Sequence, residues 1–236
     1  MNMKNSRYVR AVAEVFCHKS NCLSDIILGG QDGLVNVLGV LLGVAAAAQE
    51  TRIVIAAGLA ATFAESISMA AVAYTSKLAE YEYYLSELRR ERKDINVKPE
   101  EEREEIREIY RKKGFEGQLL DEIVKVITAS EKIWLETMMS DELRLVEINR
   151  FRPLQSAVLV GLSALLGSFI PLVPFFFVSI QASVFISILV SALALFIIGA
   201  VKASMTVGRQ VRSGLQMAII GIVSALAGYG VGLLFQ

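Results

Sequence analysis

Histidine is nearly absent: His18 is the only one in 236 residues. That removes the Glu-x-x-His pairs on which di-iron carboxylate oxidases are built. No nucleophile-plus-base arrangement is visible either, so the chain reads as a non-enzyme with no organic cofactor. Cysteine is as scarce, with only Cys17 and Cys22, too few for a disulfide framework. They bracket His18 as Cys17-His18-x-x-x-Cys22, which lacks a fourth ligand and the usual zinc spacing, so reduced, passive thiols are expected. There is no basic patch of the kind nucleic acid requires, and no apolar run with a small-residue cleavage site marks a secretory signal. From Pro153 to Gln236 there is no acidic residue at all, and only Lys202, Arg209 and Arg212 are basic.

What is present is segregated. Hydrophobic residues make up 54% of the chain and charged ones 20%, and the mean hydropathy is +0.49. Of 24 acidic residues, 19 lie between Lys77 and Arg152. The remainder holds five apolar stretches of roughly the 20 residues needed to cross a bilayer as helices: about 26–48, 53–76, 154–177, 179–201 and 213–235. Pro153 suits a first helical position, and Pro171 and Pro174 should kink or end the third span. The expected fold class is therefore an all-α membrane protein with five transmembrane helices and a cytosolic helical insert between spans two and three. Its divisions are an N-terminal amphipathic segment (1–25), spans one and two (26–76), the insert (77–152) and spans three to five (153–236).

Charge orients this layout. Residues 1–25, the insert and the 202–212 loop hold 23 of the 24 basic residues, leaving Arg52 opposite, which places N-terminus and insert on the cytosolic side. Lys4, Arg7 and Arg10 alternate with Tyr8, Val9, Val12, Val15 and Phe16, the pattern of a short helix on the inner membrane face. Gly39-x-x-x-Gly43 and Ser224-x-x-x-Gly228-x-x-x-Gly232 are spacings that let helix backbones approach closely, within one bundle or between subunits.

Span two should continue as a helix through Lys77–Ile95, with Tyr81, Tyr84, Leu85 and Leu88 as an apolar stripe, until Asn96 and Pro99 break it. A second insert helix should run from Glu100 to Gly114. A third region covers Leu119–Glu147, with Ser130 capping the helix that carries Trp134. A core of this size is marginal. Glu87, Glu91 and Asp94 fall on one face, as do Glu101, Glu105 and Glu108, with Glu102 three before Glu105. Met138 and Glu142 share a face beside Met139. A solvated charged surface paired with Arg89, Arg90, Arg103 and Arg107 is one reading. Yet like charges at i, i+4 destabilise a helix unless a cation arrives, and carboxylates joined by thioethers suit a transition metal.

Two acids lie inside the spans. A carboxylate at a helix centre costs roughly 2.5–3.5 kcal/mol and marks an ion or proton route. Asp32 sits in span one near Gly29, Gly30 and Gly33; Glu65 sits mid-span two, with Met69 at i+4 on its face. A metal ion and protons competing for such carboxylates give the logic of an antiporter.

These residues resemble the vacuolar iron transporter family, from Ser24 to Gln236. The resemblance is carried by Gln31-Asp32-Gly33-Leu34, Ser66-Ile67-Ser68-Met69-Ala70, Trp134-Leu135 with Met138-Met139, Leu154-Gln155-Ser156-Ala157 and Ile170-Pro171-Leu172-Val173-Pro174. It implies Fe²⁺ and often Mn²⁺ as substrate, moved out of the cytosol against protons, and a homodimer with its path between the first spans. It places metal ligands at Glu91, Glu102, Glu105, Met138, Met139 and Glu142, with Asp94 where some relatives have glutamate. The pathway falls on Asp32 and Met69. A span-two glutamate of those relatives aligns with Ala61, whereas this chain has Glu65 one turn later. The membrane would be the plasma membrane in a prokaryote and that of a vacuole-like organelle otherwise. A membrane-anchored metal-binding or storage module is the alternative.

Overall fold

The computed structural model describes residues 19–48, 50–205 and 208–235. Most of the expected amphipathic segment, with Cys17 and His18, lies outside them. Cys22 is buried and is not a free thiol, against the expectation of a reduced one there. Among the described residues eight α-helices occur in order: α1 Lys19–Ala48, α2 Thr51–Val97, α3 Pro99–Lys112, α4 Gly117–Thr128, α5 Glu131–Thr137, α6 Arg152–Leu172, α7 Ile180–Ser204 and α8 Gln210–Leu233. A π-helical turn, Met138–Glu142, prolongs α5, and a 3₁₀ turn, Val173–Phe176, ends α6. No strand occurs among the described residues. Among the described residues five helices are long and apolar enough to cross a membrane: α1, α2, α6 with its 3₁₀ turn, α7 and α8.

The chain divides into two compact units, one of residues 1–75 and 154–236, the other of residues 76–153. In the first, large apolar side chains point outward. Leu154, Val158, Leu162 and Leu166 form an exposed stripe on α6, and Phe185, Leu189 and Leu193 do so on α7. The buried face of α7 is small and polar instead, with Ser183, Ser187 and Ser191 fully covered. This arrangement suits lipid, where bulky side chains meet the solvent and small ones let helices approach.

Helix α1 is the hub. Along its first half Gly29, Gly30 and Gly33 lie against α6; a Cβ at Gly33 would meet the Ala164 carbonyl. Along its second half Gly39 and Gly43 lie against Gly228 and Gly232 of α8, where a Cβ on Gly43 would come within 2.9 Å of the Gly228 carbonyl oxygen. These glycines thus serve packing within one chain, one of the two uses open to the small-residue spacings. Pro171 sits inside α6 and Pro174 in the 3₁₀ turn. Carbonyls at a broken helix end must find donors when water is absent. Ser187 Oγ donates to the Pro171 carbonyl at 2.6 Å and Ser183 Oγ to that of Pro174 at 3.2 Å.

Helix α2 is a single helix of 47 residues, about 70 Å long at 1.5 Å per residue, so it far exceeds a hydrocarbon core of about 30 Å. Its polar second half contributes to the other unit. That unit has its own core of Ile95, Ile106, Leu120, Val124, Ile127, Trp134, Leu135, Met138 and Met139. Helix α3 begins with Pro99, carries Glu100, Glu101 and Glu102 in its first turn and Arg111 and Lys112 in its last, as the helix dipole favours. Gly114, at φ +96°, turns the chain toward α4. Ser130 stands at the N-cap of α5 but its side chain makes no capping bond. The expected continuation to Glu147 is cut short: the backbone widens into the π turn, with Leu143 N–H donating to the Met138 carbonyl at 3.1 Å, and Arg144 takes a left-handed φ of 55°.

Candidate metal sites

In the membrane unit the antiparallel pair α1 and α2 sets the register. Asp32 lies 16 residues before Ala48, and Glu65 lies 14 after Thr51. At 1.5 Å per residue both stand about 21–24 Å from the connection. The outcome is direct: the Glu65 side chain hydrogen-bonds with those of Asp32 and Asn36. Asp32 and Asn36 are exposed on the outer face of α1, and Glu65 is half-buried. The two intramembrane carboxyl groups therefore face one another across the helix pair. Ala61 instead packs against the apolar cluster around Val37 and Leu41. Met69 is half-buried one turn beyond Glu65 on α2. Asn36 carried no signal in the sequence, since a lone amide in an apolar run does not stand out until its partner helix is placed. An open groove of about 640 Å³ runs from Asn36 between α1 and α8, past Gly39, Gly43 and Gly228.

In the other unit, α2 brings Glu91 and Asp94, α3 brings Glu102 and Glu105, and the π turn brings Met138, Met139 and Glu142. Glu91 and Glu102 are buried, Asp94 is half-buried, and Glu105 and Glu142 are open to solvent. Met138 and Met139 are buried in the core of this unit. The carboxylates act on one another. Glu102 is pushed up to about 7, first by burial and then by Glu105, Glu91, Glu142 and Asp94. Glu142, on the rim, also reaches about 7, through lost hydration and then Glu105 and Glu91, with Arg90 pulling the other way. Glu105 is raised by burial of its carboxyl and then by Glu91, Glu101, Asp94 and Glu108. Glu102 Oε2 is buried with no hydrogen-bond partner, an arrangement that costs free energy unless something positive joins it.

The other acids of α3 behave differently. Glu100 pairs with Arg103, Glu101 with Lys98, Glu104 with Arg107, and Glu108 with Lys112. The face of Glu101, Glu105 and Glu108 is thus divided, its two outer members neutralised by lysines. Among the described residues Asp94, Glu102, Glu105 and Glu142 form no ion pair. They share a field without being drawn to coordination distance: no three His, Cys, Asp or Glu side chains among the described residues stand close enough to hold one ion.

Three residues beside the cluster were not singled out by their spacing. Asp141, inside the π turn, accepts from Lys113 Nζ at 2.6 Å and from the Tyr110 hydroxyl at 3.4 Å, and Lys113 lies over the Tyr110 ring at 4.6 Å. This clamp ties the π turn to the end of α3. The Tyr110–Asp141 separation of 31 residues hides it from any periodicity.

The VIT family pattern matches residues 23–233. The chain is 36% identical to the vacuolar iron transporter of Centaurea cyanus over 87% of its own length and 84% of that protein. It is 33% identical to vacuolar iron transporter 1 of Arabidopsis thaliana, with 87% and 82% covered. To the vacuolar iron transporter of Plasmodium falciparum it is 29% identical, with 91% and 82% covered.

Proposed function

The chain belongs to the VIT family, and on that premise we propose that this metal transporter exchanges cytosolic Fe²⁺, with Mn²⁺ and other divalent transition metals as further cargo, for protons. The observation that carries the reading is selective pairing. On α3, Glu100, Glu101, Glu104 and Glu108 are matched by lysines and arginines, whereas Glu102 and Glu105, with Asp94 and Glu142 acting on Glu102 beside them, form no ion pair. Such repulsion is relieved by a divalent cation, and the Met138 and Met139 thioethers favour a transition metal over Mg²⁺ or Ca²⁺.

In this reading the insert faces the cytosol, as the distribution of Lys and Arg supports. Metal enters at Glu105 and Glu142, which are open, and settles against Glu91, Asp94 and Glu102. Glu102 and Glu142, with values of about 7, release protons as metal arrives. In the membrane, Asp32 and Glu65 hold one proton or one cation, so loading with metal discharges a proton and the reverse returns it; Met69 offers a soft ligand beside them. Asp32 is exposed on a single chain although it lies within a span. A carboxylate does not face lipid, which supports a homodimer whose second copy covers that face of α1.

Purified protein in liposomes, with Mn²⁺ or Fe²⁺ outside and a pH-sensitive dye inside, tests the proposal. Metal entry with opposing proton movement is expected. Metal flux without proton movement removes the antiport; bound metal without flux leaves a membrane-anchored binding module.

A further inference from the structure

Glu91 is the most deeply buried acid of the cluster, with 4% of its surface exposed, and it already has a cation. Arg90 donates to Glu91 Oε1 from Nη2 at 3.0 Å and from Nε at 3.3 Å. The same guanidinium reaches Glu87 Oε2 through Nη1 at 2.8 Å. Arg103 is engaged on Glu100 and over the Trp134 ring, Arg92 on Glu131, and Lys98 on Glu101. Arg90 is also the base whose field reaches Glu142.

A guanidinium and a divalent ion are attracted to the same carboxylate oxygens, and a metal placed on Glu91 would stand a few ångströms from the Arg90 charge. We propose that Arg90 is a tethered competitor for the metal: it occupies Glu91 when no ion is bound, and steps onto Glu87 alone when one arrives. The arrangement allows this step. The Arg90 side chain is about half exposed, and Glu87, already in contact, is a second acceptor that leaves its charge paired. A fixed competitor weakens binding and speeds return of the ion, which suits a site that must pass its cargo on. The inference rests on reading the carboxylate cluster as the metal site.

The opposite role, Arg90 holding Glu91 in place for the metal, has the opposite sign, so one variant separates them. Mn²⁺ is titrated into detergent-purified full-length protein at pH 8, following emission of Trp134, the chain's one tryptophan. Arg90→Gln should bind Mn²⁺ about five- to tenfold more tightly than the parent, as expected when a unit charge near a divalent ion is removed in a partly solvated site. Arg90→Lys, which keeps the charge, should stay within about twofold of the parent. The Mn²⁺-induced rise in melting temperature should be larger in Arg90→Gln than in the parent. A glutamine variant that is unstable without metal and recovers with Mn²⁺ supports the proposal by that second measurement; one that Mn²⁺ does not restore overturns it. Equal or weaker binding by Arg90→Gln also overturns it while leaving the site in place. If the parent itself binds no Mn²⁺, the metal-site reading fails first and takes this inference with it.

Discussion

Asp32 on α1 and Glu65 on α2 meet by hydrogen bond across the pair of helices, although a position one turn away, Ala61, is where the resemblance places the acid of span two. Ala61 itself packs into the apolar cluster around Val37 and Leu41. Replacing either carboxyl with its amide, Asp32→Asn or Glu65→Gln, should lower Mn²⁺ flux into liposomes by at least about tenfold, since an intramembrane carboxylate at a cation route has no neutral substitute. Mn²⁺ titration of Trp134 emission in the same proteins should be unchanged. Normal flux in both variants would make the pair structural.

Glu102 and Glu105 should govern binding to the insert. Glu102→Ala with Glu105→Ala removes two unpaired carboxylates, and Mn²⁺ affinity of the full chain should fall by at least about tenfold, on the scale known for loss of metal-ligand shell groups. Isothermal titration would read it. An unchanged dissociation constant would show that these acids are not ligands.

Proton and metal effects should run in opposite directions. Glu102 and Glu142 carry values of about 7 in the folded protein against an ordinary 4.5. A carboxyl raised in this way favours the fold while protonated. Its contribution is complete below about pH 4.5 and is lost as pH rises through about 7. The metal-free protein should therefore melt at a lower temperature at pH 8 than at pH 5. Mn²⁺ affinity should rise over that change, by about ten- to a hundredfold between pH 6 and 8, as up to two protons no longer compete. An affinity independent of pH in this window would remove Glu102 and Glu142 from the site.

Close helix contact within one chain has its own test. A side chain at Gly228 would strike the Gly39 carbonyl of α1. Gly228→Leu should destabilise the membrane unit by about 1–3 kcal/mol, the usual scale of overpacking, read as a fall of several degrees in detergent melting. A melting temperature held at the parent value would place Gly228 in a looser contact.

The Lys113–Asp141–Tyr110 clamp holds the turn that carries Met138, Met139 and Glu142. Partly exposed ion pairs contribute a few tenths to about 1 kcal/mol, so Lys113→Met and Tyr110→Phe together should weaken Mn²⁺ binding by roughly threefold. Fold, judged by circular dichroism, should be retained. Unaltered affinity would show that the π turn keeps its shape without the clamp.

Much of this was legible because it depends on residues near one another along the chain. Runs of apolar residues mark five spans, and i, i+4, i+7 acids mark helix faces. Pro99 and Gly114 mark the ends of α3. Other features were hidden for identifiable reasons. Glu105 shares its periodicity with Glu101 and Glu108, and only the positions of Lys98 and Lys112 separate an unpaired acid from two neutralised ones. The Met138–Glu142 turn looks like ordinary helix in sequence, since its five-residue hydrogen bond leaves no mark on composition. Ser130 sits where a cap belongs, yet its side chain bonds nothing there.

By itself the sequence determined that the chain is helical, that its charge is gathered into one insert, and that two acids lie within the spans, because hydrophobic length and helical period are local properties. Only the tertiary structure decided which acids are left without a base, that Glu65 rather than position 61 faces Asp32, that Gly39, Gly43, Gly228 and Gly232 join α1 to α8 in one chain, and that Arg90 rests on Glu91. The Asp32–Glu65 meeting and the α1–α8 contact depend on the register between separate helices, which is set by how closely small residues let their backbones approach; the ion pairs are local in sequence, yet only the folded side-chain positions show which of the possible neighbours each base takes.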